Sequence, residues 1–455
     1  MIPDCTASGL LTDLYELTMA AGYVQSGFEA RATFELYVRS LPSRRNYLVS
    51  AGLEQALFFL EDMRFSAEET AYLRALPVFR NVSSEFFDYL SRFRFTGDVC
   101  AMPEGTIYFP GEPLLRVTAP IVEAQLVETS LLSILNFQSV IASKAARITT
   151  AAAGRQVIEF GSRRAHGIAA GVLAARAAYV GGCEGSSNAY AGHRFDIPVY
   201  GTQAHSWIMA HADESEAFRT FLDVFPQATL LVDTYNVRAA VEKIIALGRK
   251  PHGIRLDSGN VLADSAWLRD RLDQIGWNDV QIFVSGDLDE ERIESLLESG
   301  ARIDGFGVGT ALSTSSDAPA LSVIYKLVEI EVGGRVHNTA KFSEEKHTYP
   351  GSKQVFRFSN AKGVFSHDII GLDEEIYADS EPLLVQVMRK GRRVNEKEGV
   401  IDAHAARGRF LANRERLPKP IKALDATKRP YPVRYSSRLE DLFNQFRESL
   451  ANARP

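Results

Sequence analysis

The sequence predicts an α/β protein: an irregular (β/α) barrel with an adjoining, discontinuous α+β domain. Three observations carry this. Between residues 123 and 320, short apolar strands alternate with amphipathic stretches, the pattern of parallel strands joined by crossover helices. On either side the chain is rich in alternating β-branched residues punctuated by glycine and proline, which reads as antiparallel strands and turns. The strands of the middle region end in charged or glycine-rich residues, and in a parallel barrel those ends open on one face, where the chemistry sits.

In chain order, residues 10–28 read as a helix with Leu11, Leu14, Leu17, Thr18 and Ala21 on one face. Thr12, followed by Tyr15 and Glu16, marks its capped start. Residues 31–42 alternate as a strand, 52–62 and 67–94 favour helix, and 97–121 read as short antiparallel strands. A long helix spans 123–152. Strands follow at 157–160, 198–201, 229–233, 253–256, 281–284 and 303–309, with helices at 166–180, 214–225, 237–248, 261–275 and 289–299. These make six or seven β/α units, short of eight, so the barrel is incomplete. Residues 321–342 form a hairpin turning at Gly333-Gly334, and more strands lie in 355–388. The resulting division is 1–122 and 321–430 as two parts of the α+β domain, 123–320 as the barrel, and 431–455 as a helical tail.

Composition narrows the function. The chain of 455 residues is 45% hydrophobic and 24% charged, with a formal charge of −6, which gives no basic footprint for nucleic acid or an anionic membrane. Cys5, Cys100 and Cys183 are far apart and form no CxxC pair, so neither a zinc site nor a disulfide framework is expected. The first residues lack a basic and then apolar leader, and no apolar run reaches the ~18 residues of a spanning helix. The expected location is the cytoplasm, with no nucleic-acid or membrane partner.

The strand ends supply the chemistry. In 157-VIEFGSRRAHG-167, Arg163 and Arg164 follow the strand ending at Phe160. Arginine grips phosphate or carboxylate through its planar fork, although these arginines could instead pair with Glu159. In 201-GTQAHSWIMAH-211, His205 lies between Thr202 and Ser206 as an acid, base or nucleophile. His211 lies on a polar-ended segment and reads as a satisfied surface residue, and the i,i+6 spacing of the two histidines does not suit metal binding. Arg255 and Asp257 in 253-GIRLDSGN-260 point the same way on an extended segment. Asp257, and Asp233 at the end of TLLVD, could accept ribose hydroxyls, hold a metal-bound pyrophosphate, or form a structural salt bridge. Ser285-Gly286 and Gly309-Thr310 follow two late strands, where backbone N–H groups can close on a phosphate. Neither loop is a P-loop, and GFGVG is not a Rossmann fingerprint. Read from residues alone, this is a barrel enzyme for a phosphorylated sugar.

The segments 12-TDLYELTMA-20, EFGSRRAHG, GSSNAYAG at 185–192, GTQAHS, LLVDTYNV at 230–237, IRLDSGN, GFGVGT and 349-YPGSKQVFR-357 together resemble the nicotinate phosphoribosyltransferase family. The resemblance covers roughly residues 10–360. It implies a type II phosphoribosyltransferase fold and a homodimer with its site at the interface. The substrates it implies are nicotinate and 5-phosphoribosyl 1-pyrophosphate, with ATP as co-substrate and Mg²⁺ as cofactor. His205 matches the histidine that the family phosphorylates. Thr202 and Arg255 match nicotinate contacts, Phe160 and a partner subunit's copy of Tyr15 match ring-stacking groups, and Arg163 matches a pocket arginine. Asp257 matches the carboxylate for ribose or for Mg²⁺ held by pyrophosphate. Gly286, Gly309 and Thr310 fall in the loops that hold the phosphoribosyl phosphate; Asp233 and Ser285 are the further substrate-binding candidates. Relatives acting on nicotinamide place an aspartate near Ser187 or Asn188, and its absence favours nicotinate. Nicotinamide or quinolinate transfer, or silent binding of an NAD precursor, are the alternatives. Asn260 stands where relatives often carry a third acid.

Overall fold

The computed structural model describes residues 7–343, 346–394 and 402–452. The chain splits into two compact units, Met1–Val140 with Ala320–Pro455, and Ile141–Pro319.

The first unit is antiparallel. Its main sheet runs in the order Arg335–Asn338, Val323–Val332, Arg31–Val38, Pro113–Pro120, Asp98–Ala101, Val385–Arg389, Arg392–Arg393. Strands from the last third of the chain thus pair directly with strands from the first. Arg31–Val38 lies between Val323–Val332 and Pro113–Pro120. The hairpin turns at Gly333 and Gly334, whose φ angles of 57° and 77° are the left-handed values a two-residue turn needs. A second sheet joins Ser380–Pro382, Lys353–Ser359, Phe365–Leu372 and Val433–Tyr435. The first helix is Leu14–Gln25. Its N-cap is Asp13 rather than Thr12, whose hydroxyl instead donates to Glu16. Leu17, Ala20 and Ala21 form the buried face, whereas Leu11 and Leu14 are exposed. Residues 67–94 are two helices, Ala67–Ala75 and Ser84–Ser91, parted by a 3₁₀ turn at Pro77–Phe79, where proline ends the preceding helical run.

The second unit is a parallel α/β sheet in the order Gly185–Ser186, Gln156–Glu159, Gly305–Val308, Gln281–Val284, Gly253–Leu256, Thr229–Leu231. All five pairings are parallel. Val157, Ile158, Leu230, Leu231, Ile254, Ile282, Val284, Phe306 and Val308 are buried, as strands covered on both faces require. Residues 198–201 are not a full strand; only Val199 bridges to Ser186. On the other side of that segment the Thr202 hydroxyl donates to the Thr229 carbonyl, so a side chain stands where a ladder would close the barrel. Gly185–Ser186 is a strand the apolar pattern could not reveal, because it contains no apolar residue. The long helix breaks at Val127 into Ile121–Leu126 and Glu128–Ala151. Among the described residues no helix is long and apolar enough to cross a membrane.

Candidate active site

The ends of three neighbouring strands converge on one hydrogen-bonded cluster. Arg255 lies in Gly253–Leu256, and its fork reaches in three directions. Nε donates to Ser285 Oγ at 2.9 Å, Nη1 to the Gln203 carbonyl at 3.3 Å, and Nη2 to Asp257 Oδ1 at 3.0 Å. Ser285, at the end of Gln281–Val284, donates its hydroxyl to the same Asp257 oxygen. Asp257 Oδ2 faces His205 Nε2 at 3.7 Å, and His205 Nδ1 lies 3.1 Å from Thr234 Oγ1. Asp233 Oδ2 accepts from Asp257 N–H at 2.9 Å and from Ser258 Oγ at 2.6 Å. The sequence placed Arg255 and Asp257 on one side of an extended segment, and the structure pairs them.

The electrostatics favour a fixed negative charge at Asp257. Burial works against its ionisation, but Ser285, Arg255 and His205 outweigh burial and hold the carboxyl below its ordinary range. The group is not sealed: the side chains of Arg255, Asp257 and His205 are 14%, 23% and 39% exposed. Asp233 Oδ1 is buried without a hydrogen-bond partner, a hard oxygen donor left over.

Glycine sets the distance between adjacent loops. Gly286 has φ +88°, and a Cβ there would overlap the Asp257 carbonyl oxygen. The turn after Gln281–Val284 therefore lies directly on the backbone carrying Asp257. Gly307 acts similarly, since a Cβ there would enter the Phe160 ring. Phe160 thus lies over the end of Gly305–Val308, which leads through Gly309 to the short helix Thr310–Ser313.

The remaining residues divide. Thr202 has its hydroxyl committed to Thr229. Arg163 is exposed in the 3₁₀ turn Ser162–Arg164, and Glu159 bonds to Ser186 and Gly161 rather than to the arginines. Tyr15 belongs to the first unit, 46% exposed on Leu14–Gln25. His211 is structural: Nδ1 lies 2.7 Å from the Trp207 carbonyl and its ring packs on Trp207 at 4.6 Å. Asn260 caps Val261–Gln274, its Oδ1 accepting from Ala263 N–H at 3.2 Å, so helix initiation accounts for an amide there. Glu159, Ser186 and Thr234 were missed; each acts through a partner at least 27 positions away, which no local spacing reports. A groove of about 560 Å³ beside Thr18, Gln25, Phe79 and Asn81 in the first unit contains none of these residues.

A parallel α/β unit with an arginine, two carboxylates, an imidazole and glycine turns at its strand ends, in a chain that also has a separate antiparallel unit, is the architecture of a type II phosphoribosyltransferase. Residues 10–136 match the nicotinate phosphoribosyltransferase N-terminal domain and residues 155–357 the nicotinate phosphoribosyltransferase family. The chain is 44% identical over 436 residues to nicotinate phosphoribosyltransferase pncB2 of Mycobacterium tuberculosis, covering 94% of this chain and 92% of that protein. It is 43% identical over 385 residues to the Bacillus subtilis nicotinate phosphoribosyltransferase, covering 82% and 78%. The crystal structure of human nicotinic acid phosphoribosyltransferase superposes with a TM-score of 0.83 at 28% identity, covering 96% and 99%. The chain belongs to the nicotinate phosphoribosyltransferase family.

Proposed function

We propose that this protein transfers the phosphoribosyl group of 5-phosphoribosyl 1-pyrophosphate to nicotinate, releasing nicotinate mononucleotide and pyrophosphate, with ATP consumed through a phosphohistidine at His205. The observation that carries the reading is the cluster joining Arg255, Asp257, Ser285, His205 and Asp233 in a chain of this family.

In the reaction the pyridine nitrogen gives its lone pair to the anomeric carbon. The bond from that carbon to pyrophosphate breaks, and its electron pair leaves with the pyrophosphate. Positive charge builds on the ribosyl ring in between. Asp257, held ionised by its donors, supplies preorganised negative charge and accepts from ribose. Arg255 orients nicotinate, with Thr202 lining the pocket while its hydroxyl stays on Thr229; Phe160 stacks on the ring, and Arg163 screens its carboxylate. Backbone amides at Gly286, Gly309 and Thr310 hold the 5-phosphate, with Ser285 and Asp233 alongside. His205 Nε2, on the Asp257 side, takes the γ-phosphoryl of ATP as ADP leaves; water later releases phosphate and restores the imidazole.

The oxygen donors fit Mg²⁺, which prefers carboxylate oxygen, phosphate and retained water. Asp233 Oδ1 has no partner, and among the described residues no three His, Cys, Asp or Glu side chains form a cage. Asp257 and Asp233 would steady an ion brought by pyrophosphate. When bound, it neutralises leaving-group charge.

Tyr15, exposed on its helix, completes the pocket of the partner subunit in a homodimer. Mixing inactive Tyr15→Ala and Arg255→Ala protomers then restores activity in hybrid dimers; confirmed hybrids without activity would show that one subunit builds the whole site. The function itself is tested by pyrophosphate release with nicotinate, nicotinamide or quinolinate. Release with nicotinate alone is expected. Preference for either other pyridine, or binding without release, would replace this reading with one of the alternatives.

A further inference from the structure

The proposed reaction leaves one buried acid beside the site unassigned. Glu159 is fully buried at the end of Gln156–Glu159. Burial raises its pKa, and hydrogen bonds from Ser186 and Gly161 oppose that rise. Oε2 accepts from Ser186 Oγ at 2.6 Å, and Oε1 accepts from Gly161 N–H. Its main-chain carbonyl accepts from Ser187 N–H at 2.9 Å. Ser186 Oγ accepts in turn from Asn188 N–H at 2.9 Å, and Asn188 Nδ2 donates to Ser162 Oγ at 3.0 Å. One side chain therefore ties together two loops. The first carries Phe160 and Arg163, the second Ser187 and Asn188.

The first loop has no slack at Gly161. A Cβ on Gly161 would fall 2.8 Å from Glu159 Oε1 and would overlap Ser313, whose hydroxyl donates to the Gly161 carbonyl at 3.3 Å. Among the described residues Glu159 has no cationic partner. Its neighbours Val157 and Ile158 are buried apolar groups, so an apolar side chain would cost the interior less than an acid does. What the acid adds is two directional bonds, one to a backbone N–H and one to a hydroxyl, and these fix loop geometry.

We propose that Glu159 is a positioning residue that sets Phe160 and Arg163 against Ser187 and Asn188, and so determines how tightly the pyridine substrate is held. The proposal rests on the nicotinate reading above. Glu159→Gln keeps the volume but presents only one acceptor to two donors. The Ser186 hydroxyl can turn, and the Gly161 N–H cannot.

The test is steady-state kinetics varying each substrate separately, with thermal melting alongside. Glu159→Gln raises KM for nicotinate about tenfold while KM for 5-phosphoribosyl 1-pyrophosphate stays within about twofold, because the loops that misalign are the pyridine loops. Ser186→Ala raises nicotinate KM less, and the double variant is no worse than Glu159→Gln, since both cut one linkage. An unchanged nicotinate KM, or equal rises in both KM values, overturns the proposal. Should Glu159→Gln fail to fold, Ser186→Ala decides alone, by the same split. A wild type inert toward nicotinate overturns the functional reading and this proposal with it; an active wild type with indifferent variants overturns only the proposal.

Discussion

The two units treat charge in opposite ways. In the antiparallel unit Arg357 and Asp368 are fully buried and pair at 2.6 Å; Arg357 also donates to the Ile107 carbonyl at 2.8 Å, and Tyr431 donates to Asp368 at 2.9 Å. Buried Lys353 meets Glu35 at 2.9 Å and donates to the carbonyls of Tyr349 and Gly351. In the parallel unit, Arg255, Asp257 and His205 stay part-exposed and Asp233 keeps an unpaired oxygen. The first arrangement sets each buried charge against an opposite one, as burial demands. The second leaves capacity for a ligand. The parallel unit also contains charge of the first kind, where buried Lys144 meets Glu290 at 2.5 Å and Asp317 at 2.7 Å. Exposure, and not the mere presence of ion pairs, separates these scaffold charges from the cluster at the strand ends.

Substitutions that remove one charge from each region should therefore fail differently. Arg255→Ala lowers kcat/KM about 10³-fold, roughly 4 kcal/mol of transition-state stabilisation, while the melting temperature barely moves. A large loss of stability with activity retained would reverse the comparison. Arg357→Ala strands the Asp368 carboxylate and costs about 3–5 kcal/mol of stability in denaturant titration, with activity per folded molecule unchanged.

The proposed phosphohistidine predicts that His205→Ala abolishes ATP-derived phosphate labelling and the ATP stimulation of nicotinate turnover; persistent labelling would remove His205 from that role. Ser187→Asp adds charge at an exposed loop position. It weakens nicotinate relative to nicotinamide roughly tenfold, about 1.4 kcal/mol, read as a ratio of kcat/KM values.

The smallest effect sharpens the comparison within the antiparallel unit. Burial pushes Glu16 up to about 6, against hydrogen bonds from Thr12 and Thr129. An acid whose folded pKa lies above its unfolded value near 4.5 favours folding while protonated. That contribution is fully present below about pH 4.5 and is lost as pH rises to about 6. Wild type should thus lose about 1–2 kcal/mol relative to Glu16→Gln across that window. A gap in melting temperature that does not change with pH would show that Glu16 is not shifted.

Much of the barrel was legible because its signals are local. The strands 253–256 and 281–284 coincide with the observed ones, since a short apolar run bounded by turn residues needs no distant partner to be recognised. Their helices were visible by periodicity, and the Arg255–Asp257 pair by its spacing of two. The motif 349-YPGSKQVFR-357 was visible only as a resemblance, and the structure shows its Lys353 and Arg357 as buried scaffold charges.

The sequence by itself determined which strand ends carry charged, hydroxyl and glycine residues, because strand polarity and side-chain alternation are properties of a few consecutive residues. Only the tertiary structure decided that Gly286 must lack a side chain beside the Asp257 carbonyl, that Thr202 stands in for a missing ladder, and that Glu159 serves Ser186 and not Arg163. Each of those depends on groups tens of residues apart meeting within hydrogen-bond range, and that proximity is created by packing.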